Sequence, residues 1–204
     1  MPCGNQATFD GTEVFIECDG EWNCCQREQA KAKCDNYNKN LPLKPNPGTL
    51  SSSTVKAKSE WCKDEWTDMQ KDMNADKKAG AKKWATSPCL EAQLEENWEK
   101  DSTRTELKIN LDHQVEVKWS GPTTPPLKAL DAKVNQTFGN KAKELANEMK
   151  GSDITAVYLI CPNAPPCKAP PDPQDFSTAP PGKANKKDLP ATGYRTPIER
   201  KVVV

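Results

Sequence analysis

From Glu106 to Trp119 the chain alternates without a break. Leu107, Ile109, Leu111, His113, Val115, Val117 and Trp119 share one register, and Glu106, Lys108, Asn110, Asp112, Gln114, Glu116 and Lys118 share the other. A period of two predicts a strand, or two strands of one hairpin, with one apolar face. "TEVFIEC" (12–18) predicts a second extended segment, and "DITAVYLIC" (153–161), nearly all apolar, predicts a strand interior to a sheet. Elsewhere the period lengthens to three or four. "EWNCCQREQAKAKCDNYN" predicts a helix from Glu21 to about Asn38, capped by Asp19 or Gly20 and stopped by "LPLKPNPG". Val55, Trp61, Cys62, Trp66, Met69 and Met73 recur at helical spacing in a segment that starts at the serines 51–53 and ends at Gly80. Ser87 as cap and Pro88 at the first position open a further helix carrying Leu90, Leu94 and Trp98. Leu127, Leu130, Val134, Phe138, Ala142, Leu145 and Met149 step by three or four, predicting a helix across 127–149, after a loop at "SGPTTPP" (120–126).

Composition narrows what this pattern can build. With 204 residues, 35% hydrophobic and 18 prolines, the chain supplies one modest core and a tail, and the tail is the Pro-, Lys- and Asp-rich stretch from Pro162 onward. Equal numbers of acidic and basic residues (29 each) exclude a globally basic nucleic-acid binder. Phosphate contacts must come from local lysines in "KAKSEWCKDEW", "DKKAGAKKW" or "NKAKELANEMK", most of which are ordinary surface charge. No basic start followed by an apolar run suggests a Sec signal, and no stretch approaches the roughly 20 apolar residues of a membrane span, so the sequence reads as that of a soluble protein made in a cytoplasm.

Nine cysteines change the picture, because the number is large for a reduced compartment and odd. Adjacent Cys24 and Cys25, and Cys161 spaced from Cys167 by five residues, lack the C-x2-C pairs and nearby histidines that zinc prefers. Disulfides, a zinc site and small buried hydrophobes all remain open, with pairing unspecified.

His113 is the only histidine. A lone imidazole on an apolar strand face is most often a satisfied, half-buried residue. In a continuous strand Asp112 and His113 point to opposite sides, so a shared site requires the strand to break there. Asn135 follows on the next helix, with Asp131 four residues before it. Oxygen ligands of this kind suit a hard divalent cation.

The segment "DHQVEVKWSGPTTPPLKALDAKVNQTFGNK" resembles the HNH motif of ββα-metal endonucleases, especially the variant in nuclease toxins of polymorphic bacterial effectors, where the helix reads like "LD-x-x-VN-x-x-x-G". The resemblance covers about thirty residues and implies an α+β fold. A mainly helical, cysteine-containing N-terminal region (1–103) would precede an HNH-like ββα-metal core (104–161) and a Pro-rich extended tail (162–204). It implies His113 as general base, Asp112 and Asn135 as metal ligands, Asp131 and Glu116 as supporting groups and Arg104 as a phosphate contact. It further implies Mg2+ as the cofactor (Mn2+, Ni2+ or Zn2+ as alternatives), DNA or else RNA as substrate, a cognate immunity protein and a PAAR/VgrG-type secretion carrier. The site of action would then be the target-cell cytoplasm, reached by secretion. The family's central Asn falls near Pro126-Leu127 here, so another group must hold the imidazole. A competing expectation is a non-catalytic, cysteine-stapled secreted or adaptor module that binds a protein partner. A Cys–His hydrolase has no support, because no cysteine is picked out as partner to His113.

Overall fold

Two strands near the N-terminus begin the architecture: β1 (Ala7–Asp10) and β2 (Glu13–Glu17), joined antiparallel through a two-residue turn. Gly11 makes this turn possible, since it adopts φ +64°, a conformation that side chains with a Cβ resist. The computed structural model describes residues 7–46, 52–119, 127–149, 151–161 and 167. Over these residues the order continues with α1 (Cys24–Lys39), α2 (Ser52–Ala75), α3 (Lys77–Trp84), α4 (Pro88–Asn97), β3 (Ile109–His113), a 3-10 turn (Val117–Trp119), β4 (Leu127–Asp131), α5 (Ala132–Glu148) and β5 (Ala156–Ile160). The fold is α+β. The expected loop at 120–126 and the tail from Pro162 onward, apart from Cys167, lie outside the described residues.

β5 joins the first sheet in parallel with β2, pairing Val14 with Val157, so the order is β1-β2-β5 and β2 is central. The expected interior strand at 153–161 is therefore an edge strand. Its apolar run is explained by α1, which packs against it, and by Phe15, whose ring stacks on Tyr158 at 5.2 Å. Its open edge is met by Asn38 of α1, which donates Nδ2 to the Val157 carbonyl and accepts the Val157 N–H, both at 2.8 Å. One side-chain amide thus does for the edge what a further strand would do.

Cap chemistry decides where the helices begin. α1 starts at Cys24 because Asn23 accepts from Gln26 N (2.9 Å) while Gln26 Oε1 accepts from Asn23 N (3.0 Å), a complete capping box that displaces the expected start at Glu21. Ser87 and Pro88 open α4 as the sequence predicts. The long helix expected to run to Gly80 stops at Ala75. Asp76 then caps a new helix by accepting from Ala79 N at 3.0 Å, and Gly80 lies inside α3. There it meets α2 closely: a Cβ on Gly80 would come within 2.9 Å of Met73 Cα, N and Sδ. Gly80→Ala is expected to lower stability by about 1–2 kcal/mol, the overpacking cost outweighing alanine's better helix propensity. Denaturant unfolding checks this, and a gain in stability would mean that the two helices do not approach so closely.

The buried side chains form two clusters. One joins the β1-β2-β5 sheet to α1 and α5 through Val14, Ile16, Tyr37, Trp119, Phe138 and Leu145. The other joins α2, α3 and α4 to the β3–β4 hairpin through Met69, Met73, Trp84, Leu90, Leu94 and Trp98. The hairpin lies between the two: Ile109, Leu111, Leu127 and Ala129 face the helical cluster, while Leu130 joins the sheet-side cluster. Three disulfides among the described residues tie these parts together: Cys18–Cys161, Cys24–Cys167 and Cys25–Cys89, with Cα–Cα distances of 4.8, 5.3 and 5.5 Å. Cys34 and Cys62 are unpaired thiols. Among the described residues no helix is long and apolar enough to cross a membrane.

Candidate functional site

The alternating run at 107–119 yields only one strand. β3 ends at His113, residues 114–116 turn away, and Val117–Trp119 form the 3-10 turn. Its partner is β4, antiparallel, with Asp112 opposite Lys128 and His113 opposite Leu127. Residues 127–131, expected as the first turn of a helix, are this strand. Leu127 and Leu130 satisfy helical spacing, but Leu127 and Ala129 also satisfy alternation, and pairing with β3 wins. α5 therefore starts at Ala132, immediately after the hairpin, which puts Asn135 in its first turn.

This geometry brings Asn135 to Asp112. Asn135 Nδ2 donates to Asp112 Oδ1 (3.0 Å) and Oδ2 (3.2 Å), and its carbonyl accepts from Asn110 Nδ2 (3.2 Å), the amide orientation that its neighbours dictate. A third element completes the cluster. From α1, Lys33 forms a direct ion pair with Asp112 Oδ2, pairs with Glu116 Oε1 at 2.8 Å and donates to the His113 carbonyl at 3.5 Å. Tyr37, one turn further along α1, donates to Glu116 Oε1 at 3.2 Å. Burial pushes the Tyr37 phenol well up, with Glu116 adding to the effect, so Tyr37 stays a donor. Asn36 donates to the Gln114 carbonyl at 2.8 Å, anchoring the chain where β3 ends. Lys33, Asp112, His113 and Glu116 are all buried. A cavity of about 30 Å3, large enough for one water molecule, touches Lys33, Thr86, Asp112 and His113.

α1 supplies this cluster because its inward face is polar. Gln26, Gln29, Lys33, Asn36 and Tyr37 lie at spacings of three or four, one face of a helix, and all of them reach the hairpin or the segment after it. Sequence reasoning missed Lys33 and Tyr37. A lysine in "AKAKC" carries no mark that distinguishes it from a solvated one. The only hint is that this face holds amides and a tyrosine instead of a run of charges.

Asp112 and Asn135 meet directly and Glu116 joins them through Lys33. The expected break between Asp112 and His113 is not found, because both are paired in β3 and the strand ends after His113, whose carbonyl Lys33 reaches. Asp131 is elsewhere. It lies at the far end of β4, opposite Ile109, and caps α5 by accepting from Lys133 N (2.9 Å) and Val134 N (3.2 Å), with Gln26 Nε2 a third donor at 3.1 Å. It is not on the same helical face as Asn135, because it precedes the helix. Arg104 lies in the turn before β3, at the end away from His113, with its guanidinium 5.8 Å from the Trp66 ring centre.

The donor set is oxygen-rich, as a hard cation requires, but as arranged it suits the Lys33 ammonium. Both Asp112 oxygens are engaged, Glu116 takes Lys33 and Tyr37, and Asn135 turns its nitrogen, not its oxygen, toward Asp112. A divalent ion could bind here only by displacing Lys33 and turning the Asn135 amide. No family model, no curated protein and no solved structure matches this chain.

Proposed function

We propose that the Asp112–His113–Glu116–Asn135 cluster is the catalytic centre of an HNH-like nuclease toxin that hydrolyses phosphodiester bonds, with DNA as the first substrate and RNA the second. One observation carries the reading: β3 ends at His113, and the helix directly following its hairpin partner sets Asn135 3.0 Å from Asp112. That is the order hairpin, Asp–His pair, helix and terminal Asn of the ββα-metal motif. His113 takes the proton from a water in the adjoining cavity, and that water attacks phosphorus. Tyr37 and Asn36 hold Glu116 and the Gln114 carbonyl in place around it. Mg2+, or Mn2+, Ni2+ or Zn2+, would supply Lewis-acid stabilisation of the leaving oxygen once Lys33 withdraws from the carboxylates. On the same reading Arg104 and surface lysines meet the phosphate backbone, an immunity protein protects the producing bacterium, and a PAAR/VgrG-type carrier delivers the toxin. Disulfides fit a protein that passes through an oxidising space between cells.

The test is cleavage of plasmid DNA in Mg2+, Mn2+, Ni2+ or Zn2+, stopped by EDTA, by wild type and His113→Ala. Loss of the general base is expected to slow cleavage by about 100- to 10,000-fold with the fold retained. Expression of the wild type in bacteria should be toxic, and the variant harmless. DNA left intact with all four metals, or a variant as active as its parent, overturns the proposal.

A second reading has its own observation. Lys33 neutralises Asp112 and Glu116 in a buried ion-paired set, an arrangement that also serves as a structural core in a disulfide-stapled adaptor. It predicts no cleavage at all, with His113→Ala affecting only stability.

A further inference from the structure

We propose that Cys24–Cys167 is a thiol–disulfide exchange site, with Cys24 as its low-pKa thiol. This holds independently of the nuclease reading. Cys24 is the first residue of the 16-residue α1, where unpaired backbone N–H groups leave a partial positive charge. A second, independent feature points at the same atom. Arg27 is 4% exposed, its Nη2 donates to Cys24 Sγ at 3.0 Å, and its Nε has no hydrogen-bond partner. Among the described residues no carboxylate forms an ion pair with it. A buried guanidinium without a counter-charge is unfavourable, and a disulfide sulfur is only a weak acceptor. A Cys24 thiolate would complete the arrangement. The pocket is thus built for the reduced, ionised form of Cys24.

Other charges near Cys24 are engaged elsewhere. Glu28, one turn on, accepts from Cys89 N at 3.0 Å. Glu21 pairs with Lys133 at 3.4 Å, Asp19 accepts from Glu21 N at 3.0 Å, and Lys31 pairs with Asp35 at 2.6 Å. Access also favours this bridge. Cys24 and Cys167 are both half-buried, whereas each of the other two disulfides has one buried cysteine, Cys18 or Cys25. Cys34 is no competitor, because burial pushes its thiol far up and keeps it protonated.

The step balances with a small thiol such as glutathione. Its thiolate attacks Cys167 Sγ, the disulfide bond breaks, and the electron pair leaves on Cys24 Sγ, beside Arg27. A second thiolate attacks the mixed disulfide and releases Cys167 as thiolate. Two small thiols are oxidised to their disulfide, and the protein bond takes up two electrons.

The experiment treats the full chain with limiting glutathione, quenches with acid, alkylates and maps the labelled cysteines. Cys24 and Cys167 are expected to appear about tenfold faster than any other pair, and Arg27→Met should remove most of that advantage. With Cys167→Ser, the pH midpoint for alkylation of Cys24 should lie below the ordinary cysteine value of about 8.5. Arg27→Met in that background should move the midpoint up, and Arg27→Lys should restore part of the depression. A midpoint at or above the ordinary value, no response to Arg27→Met, or earlier opening of Cys18–Cys161 or Cys25–Cys89 overturns the proposal. Should Arg27→Met fail to fold, the Cys167→Ser midpoint with Arg27→Lys decides alone.

Discussion

Lys33→Met is expected to cost about 3–5 kcal/mol of folding stability, lowering Tm on the order of 10 °C. The side chain is 3% exposed, and the Asp112 and Glu116 side chains it joins are 10% and 11% exposed. Methionine keeps the volume but removes the ammonium that pairs with both carboxylates, which water barely reaches. The cost is that of an uncompensated buried charge, not the loss of a favourable contact, so deleting the whole set should be far milder. Lys33→Met combined with Asp112→Asn and Glu116→Gln is expected to recover most of the stability. Loss of the full amount in the triple variant would mean that Lys33 acts through packing on Tyr37 and Phe138, whose ring centres lie 5.7 and 5.6 Å away. The single variant also probes the cation proposed for this place. With the ammonium gone, Mn2+ should raise its Tm in a concentration-dependent way while leaving the wild type nearly unchanged. A Tm indifferent to Mn2+ in folded Lys33→Met protein would remove Asp112 and Asn135 from consideration as metal ligands.

How much of this was legible follows the range of the interactions involved. Local chemistry was readable: Ser87 and Pro88 mark a helix start because cap and first turn adjoin in sequence, and "TEVFIEC" carries its own alternation. Where two local signals competed, the sequence could not choose. Leu127 and Leu130 fit a helix as well as a strand, and pairing with β3, whose residues His113 and Asn110 lie 14 and 20 positions earlier, decided for the strand. Gly80 looked like a stop because a close approach to Met73 is invisible without the fold. The Asp112–Asn135 meeting was anticipated through a motif, since spacing alone does not say which residues a hairpin brings to a helix. Lys33 was unreadable for a related reason. Its partners lie 79 and 83 residues away, and no periodicity links α1 to the end of β3. Arg27 is similar: burial, which it shares with Lys33, is what separates it from Lys31 and Lys39 of the same helix.

The disulfides lead to the second large effect, and it is not additive. Cys18–Cys161 and Cys24–Cys167 each close a separation of 143 residues, which in a chain-entropy account stabilises by about 5 kcal/mol when either bridge acts alone. They are staggered by six residues at both ends, 18 to 24 and 161 to 167. With one bridge in place, the other therefore closes a ring of only about a dozen residues, worth about 3 kcal/mol. Cys18→Ser with Cys161→Ser, or Cys24→Ser with Cys167→Ser, should each cost about 3 kcal/mol, because the surviving bridge still restrains the unfolded chain. Removing all four cysteines should cost about 8 kcal/mol, more than the two losses together and comparable with the whole stability of an ordinary domain. Guanidinium unfolding of the three variants measures this, and the four-cysteine variant is expected to be largely unfolded near room temperature. Strictly additive losses would sink the account, since they would mean that the bridges act by native contacts at Cys18 and Cys24 and not by restraining the same loop. Such a result would also make each bridge separable, whereas coupled bridges let Cys24–Cys167 open by exchange while Cys18–Cys161 keeps β5 against β2, where Cys18 N already donates to the Ile160 carbonyl at 2.7 Å.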